Sequence, residues 1–197
     1  MITEDIFLLN RLMLFVLALL ILVAPCAMAG NLEDTTRKEK IMLEGMEEEI
    51  EAHYFSSERG YAFWYDPKVI TPQPESEGVE MDIFKPTNPD AIEGVELTIH
   101  YENAQGYTFE QAKKDIEKTL QDNYGGFEKA AAVITEAYPY EVYSAHDGNS
   151  TILSYVIDNA GVGAFYVTVK YPIEATEGFG SRIEQMIGSF HILTPEE

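Results

Sequence analysis

The chain has 197 residues, of which 46% are hydrophobic and 24% charged, and its 34 Asp and Glu against 13 Lys and Arg give a formal net charge of −21. A charge of that sign repels nucleic acid and anionic membrane surfaces, whose binding depends on Lys and Arg neutralising phosphate, so no nucleic-acid partner is expected. It suits cationic ligands, divalent ions or a basic partner surface, and it serves solubility on its own.

Residues 12–23 are an unbroken apolar run, LMLFVLALLILV, preceded by Arg11 and followed by Pro25 and Ala27-Met28-Ala29. A short apolar core ending in A-x-A reads as a secretory signal peptide, and the run is short for a membrane-spanning helix, which needs roughly 20 apolar residues. The expectation is a signal peptide over residues 1–29, cut between Ala29 and Gly30, and a secreted or extracytoplasmic product. Cys26 offers an alternative as a lipidated cysteine, giving a membrane-anchored lipoprotein; an uncut anchor is a third reading. Membrane association is expected only in those two cases. Cys26 is the sole cysteine, so cleavage after Ala29 removes disulfides, thiol catalysis and zinc-thiolate or iron–sulfur sites together. The remaining segment, 30–197, is long enough for one self-sufficient core.

Residues 30–39 (GNLEDTTRKE) are polar and without period and read as a leader; 40–197 reads as a single domain. In 40–55, Gly45 argues against a continuous helix. Ile50, Ala52 and Tyr54 alternate with Glu49, Glu51 and His53, the period of a half-buried strand. A short strand, a turn at Glu44–Gly45 and a second strand are expected, with Glu47, Glu48, Glu49 and Glu51 on a solvated face. Residues 56–60 turn into a strand over 61–65 that Asp66-Pro67 ends. Residues 68–78 form a loop, and 79–84 and 95–101 read as strands. The clearest element is a helix over 108–124: Thr108 caps it, Gln111 completes a capping box, and Phe109, Ala112, Ile116 and Leu120 form one apolar stripe. Gly125-Gly126 stops it. Strands come next at 130–137, 140–145, 151–158 and 163–171, with hairpin turns at 146–149 and 159–161. A last helix is expected over 176–187, and 190–193 closes the chain. Strands joined by tight turns are antiparallel, so the fold class is α+β: an antiparallel sheet with helices packed on its faces.

Gly60-Tyr61-Ala62-Phe63-Trp64-Tyr65-Asp66-Pro67 is similar to the opening strand of the PsbP-like family. Val167-Thr168-Val169, Glu177-Gly178-Phe179-Gly180 and Met186-Ile187-Gly188-Ser189-Phe190 resemble its closing strand, helix and exit. The resemblance covers most of 50–193. It implies an α/β/α sandwich, an uncharacterised bacterial secreted member, and a binding or assembly module without catalysis.

Four histidines, His53, His100, His146 and His191, show no metal-ligand spacing, and no metal or other cofactor is expected. Residues 147–158 match a calcium loop poorly, since Ile152 stands where glycine is needed. No nucleophile elbow occurs. Gly178 and Gly180 with Arg182 could cradle an anion, but a close helix–sheet contact that only glycine permits is preferred. The aromatics give the one candidate ligand site. Tyr61, Phe63 and Tyr65 point to one face of their strand and Trp64, the only tryptophan, to the other. Tyr138, Pro139, Tyr140 and Tyr143 form a second cluster. Trp64, Tyr138 and Tyr140 are the candidate ligand-binding residues, as a stacking platform for a sugar or a Pro-rich peptide. The expectation is a monomeric, non-enzymatic binding or accessory domain for an unidentified protein or small ligand. The alternatives are a cell-envelope hydrolase using an acidic pair and a lipid-anchored accessory protein.

Overall fold

The computed structural model describes residues 35–43, 45–74, 78–88, 93–131 and 138–194. All of them belong to one compact unit, Asp34–Glu197. Cys26, Ala29 and Gly30 lie outside the described residues, as do 132–137, where most of one expected strand falls.

Two antiparallel sheets form the unit. The smaller runs β1 (Thr36–Leu43), β2 (Met46–Ser57), β3 (Tyr61–Tyr65) and β11 (His191–Ile192), side by side in that order. The larger has seven strands: β4 (Ile70–Pro72), β5 (Met81–Pro86), β6 (Glu96–Glu102), β7 (Glu128–Lys129), β8 (Tyr140–Asp147), β9 (Ser150–Asp158) and β10 (Ala164–Pro172). Its spatial order is β4-β5-β6-β10-β9-β8-β7. The hairpin β8–β9 closes through Gly148 and Asn149, and Ile152–Ile157 lies in strand, which disposes of the calcium loop.

Strand β9 is buried on both faces. Ile152 and Val156 look toward helix α1 (Phe109–Tyr124), with Tyr143, Ala145 and Ala164 beside them and Ala112, Ile116 and Leu120 above. Leu153, Tyr155 and Ile157 look the other way, into a core with Phe165, Val167 and Val169 of β10. Tyr61 and Phe63 of β3 and Ile183, Met186 and Ile187 of helix α2 (Ser181–Gly188) close that core. The layers are therefore α1, the seven-stranded sheet, and a mixed layer of the four-stranded sheet and α2. The sequence expectation put a single sheet between helices; a second sheet occupies much of the layer assigned to helix.

Helix α1 forms as its sequence dictates. The Thr108 side chain accepts from the Gln111 N–H at 3.2 Å, and Gly125 takes φ 77° to return its N–H to Gln121. The Gln111 side chain donates to Asp115 instead of reaching back to the cap. At the C-terminal end the expected single helix breaks up. Ile173–Ala175 is a 3₁₀ turn, Thr176–Gly180 a π-turn, and only Ser181–Gly188 is α-helical. Two glycines weaken this turn as helix, while Phe179, 3% exposed, is drawn into the core. A side chain at Gly178 would meet open space and one at Gly180 only ordinary contact with Tyr171, so the close approach expected at these glycines is absent.

From Thr36 on, the polar leader expected over 30–39 is replaced by strand; 30–34 lie outside the described residues. Thr36–Leu43 is one continuous strand, paired residue for residue with Met46–His53. Its charges are matched across the ladder, Lys38 to Glu49 at 2.7 Å and Lys40 to Glu47 at 2.6 Å.

A buried polar cluster ties the two sheets together. Asp82 of β5, 9% exposed, accepts from Ser57 Oγ of β2 at 2.7 Å, from the Tyr61 hydroxyl of β3, and from Arg59 Nη1 at 2.8 Å. Burial, and then the bond to Asp82, push the Tyr61 phenol far above its ordinary pKa.

Candidate functional site

On one face of β3, Tyr61, Phe63 and Tyr65 join Phe55 and Phe84 in the core between the sheets. Trp64 points to the opposite face, as its alternation requires. There the pairings Arg37↔Ala52, Tyr54↔Trp64 and His191↔Ala62 place small alanines between long neighbours. Arg37 crosses Ala52 to lie over the Trp64 ring, 4.0 Å from its centroid. Tyr54 packs on Trp64 at 5.0 Å and stacks on His191 at 5.9 Å, with the Tyr54 hydroxyl and His191 Nε2 3.0 Å apart. Arg37 also pairs with Glu39 on its own strand.

The candidate residues are not brought into one platform. Tyr138 and Tyr140 pack against the main core, while Tyr143 is buried on the other face of the sheet, under α1. The Tyr138 hydroxyl accepts from the Ile192 N–H at 3.1 Å, capping the outer edge of β11. Trp64 packs instead with a separate small cluster, Ile41, Ile50 and Ala52. A crevice of about 10 Å³ runs beside it, lined by Glu39, Trp64, Asp66, Arg182 and Gln185 among others. That is room for about one water.

The larger concavity lies at the other end of the β1–β2 hairpin. A cleft of about 800 Å³ opens between the hairpin tip, the segment after β3 and the 173–182 turn. Val69, Ala175 and Phe179 give it apolar walls, Met46 stands at its rim 68% exposed, and Glu48, Lys68, Glu174 and Arg182 supply charge. Met42 is 61% exposed on the same hairpin. Arg182 fixes one wall. Its Nη1 donates to Asp66 at 3.0 Å and its Nη2 to Glu48 at 2.8 Å, joining α2 to the end of β3 and to the hairpin. Asp66, 2% exposed, also accepts from the Lys68 N–H at 2.9 Å. The guanidinium is thus committed to carboxylates and does not serve as an anion cradle. Sequence reasoning missed this cleft because its walls come from 46–48, 68–69 and 174–182. The signal available was two methionines flanking a hairpin turn, where polar residues are the rule.

A second charged cluster sits beneath α1. Glu141 accepts from Lys129 Nζ at 2.7 Å, the Tyr143 hydroxyl at 2.6 Å and Lys113 Nζ at 3.3 Å. Burial alone would raise this carboxyl, but the three donors outweigh it and hold the pKa at about 2. Among the described residues no group of three or more His, Cys, Asp or Glu is placed to hold a metal ion.

No protein-family model and no curated protein matches the chain. Solved structures do. The cyanobacterial PsbP protein of Synechocystis aligns over 72% of this chain and 92% of its own, with a TM-score of 0.50 and 13% identity. The fold is PsbP-like. At that identity the likeness extends to the fold alone. Two further structures align more loosely, both with a TM-score of 0.42. One is a Bacteroides thetaiotaomicron protein (17% identity, 73% of this chain, 49% of that one). The other is a Pseudomonas aeruginosa protein of unknown function (10% identity, 81% of this chain, 99% of that one). In this PsbP-like fold the cleft is built by the β1–β2 hairpin and the turn leading into α2. Among the described residues no helix is long and apolar enough to cross a membrane.

Proposed function

We propose that this is an extracytoplasmic, non-enzymatic binding or accessory domain of the α/β/α sandwich type, which takes its partner in the cleft at the hairpin tip. The observation that carries the reading is that cleft: about 800 Å³, apolar-walled, with a few fixed charges and a methionine at its rim. Such a surface suits a protruding apolar group of a partner, because methionine adapts its shape to what it meets. Export is supported by the apolar run and A-x-A at residues 12–29. A photo-crosslinking residue in place of Met46 is expected to give a discrete adduct in native cells, lost when Val69→Glu is added. The same residue in place of exposed Lys118 on α1 is the control. Adducts no stronger than that control would overturn the cleft as the binding surface.

The hydrolase reading keeps one supporting observation: Glu47, Glu48 and Glu174 all line the cleft. Two of the three are already bound to cations, Glu47 to Lys40 and Glu48 to Arg182, which leaves a poor acid–base pair. Saturable hydrolysis by the purified protein, abolished by Glu174→Gln, would move the assignment to an enzyme.

A further inference from the structure

The Trp64 row holds a cation that belongs to the chain itself. Arg37 covers the ring at 4.0 Å, beside the Glu39 carboxylate, with Tyr54 against the same indole and Ala52 as the floor between them. We infer that Trp64, Tyr54 and Glu39 form a binding site for the guanidinium or ammonium group of a basic partner segment, and that Arg37 is its internal stand-in.

Three observations support an exchangeable occupant. The strand that carries Arg37, β1, lies at the edge of its sheet and among the described residues pairs only with β2. Its apolar anchorage is slight, since among its described side chains only Ile41 is buried, against Ile50, Ala52 and the half-buried Trp64. The Arg37 side chain is 45% exposed, so its hold on the half-buried ring is weak enough for a ligand to compete, roughly a two- to five-fold preference. A face of indole with a carboxylate beside it selects a cation, and a planar guanidinium stacks better than a compact ammonium. With Arg37 in place the adjoining crevice has only about 10 Å³, so the ligand must take the place of Arg37 rather than sit beside it. The net charge of −21 brings such ligands toward the surface. This site is distinct from the hairpin cleft, and its test does not depend on what the cleft binds.

Trp64 is the only tryptophan, so its fluorescence reports the site directly. The full protein and its Arg37→Ala variant are titrated with N-acetyl-arginine amide, and with N-acetyl-citrulline amide as the uncharged isostere. The variant is expected to saturate in the millimolar range, with half-saturation about three- to six-fold below that of the wild type. Glu39→Gln added to Arg37→Ala is expected to weaken the response, and citrulline to give none. Arg37→Ser, which keeps a polar edge strand, repeats the measurement if the alanine variant does not fold. Equal titrations of variant and wild type, or citrulline matching arginine, would overturn the site.

Discussion

Asp82→Ala removes the single acceptor on which Ser57, Arg59 and Tyr61 converge. Hydrogen bonds to an ionised acceptor contribute about 1.5–3 kcal/mol each. The Ser57 and Tyr61 hydroxyls are buried and also bond to one another, so one can replace Asp82 only in part, and the two contributions are lost near the lower end of that range. The Arg59 side chain is 22% exposed and rehydrates, which adds little. The expected loss is about 3 kcal/mol. In a domain of this size each kcal/mol lowers Tm by about 2–4 °C, so the melting temperature should fall by about 6–12 °C. Asp82→Asn keeps the shape and one acceptor oxygen and should cost about half as much. Circular dichroism on heating, with urea unfolding at 25 °C as the isothermal check, measures both. An alanine variant within about 1 kcal/mol of the wild type would refute the claim that this cluster joins the sheets.

Other consequences are as direct. Leu120→Ala empties the 2%-exposed end of the α1 stripe and should cost about 3 kcal/mol in the same unfolding assay. Gly163 has φ 152°, and a side chain there would stand 2.5 Å from the Glu102 carbonyl oxygen, so Gly163→Ala should destabilise by at least about 2 kcal/mol. Glu141 titrates lower in the fold than in the unfolded chain, so it contributes stability above its unfolded pKa of about 4.3 and loses it as pH falls toward about 2; Glu141→Gln should flatten that acid limb of a stability–pH curve. Tyr61, Tyr107, Tyr143 and Tyr155 are all raised, chiefly by burial, so their contribution is full below pH 10 and declines above it. Tyrosinate absorbance at high pH should therefore stop short of all 12 tyrosines until the protein unfolds. Intact mass of the native protein should show a chain beginning at Gly30; a lipid-bearing chain beginning at Cys26 would replace the signal peptide with an anchor.

Elements whose sequence carries its own local signal were readable. Helix α1 has a cap, a stripe and a terminating glycine within 18 residues, and each sits where its pattern puts it. The alternation of Phe63 and Trp64 across β3 was equally plain, because period two needs only neighbours. Strand β1 was hidden because half of its residues are charged. Among its described side chains only Ile41 is buried, and the partners that make Lys38 and Lys40 strand residues lie on β2, about ten positions away. The π-turn was misread as helix because apolar spacing does not report how a backbone widens around Phe179. The candidate site fared least well. Its aromatics were found, but their engagement by Arg37 and by the Ile192 N–H is long-range and leaves no trace in local sequence. Nor does the convergence of Glu48, Asp66 and Arg182, separated by up to 134 positions.

The ladder of β1 against β2 also decides how this molecule meets its own kind. The Tyr54 N–H donates to the Thr35 carbonyl at 3.0 Å, and the antiparallel alternation from that bond leaves Thr36, Lys38, Lys40 and Met42 with their N–H and C=O groups turned away from β2. An eight-residue strand whose outer margin has no partner among the described residues is a template against which a second copy could pair its own β1 edge to edge. In the two-fold register centred on Glu39, a second copy would set Glu39 against its counterpart and Lys38 against Lys40. Those repulsions fall in the middle of the strand, where such a pair would need its firmest bonds. The charges that disguise β1 in the sequence thus weigh against its pairing with a second copy.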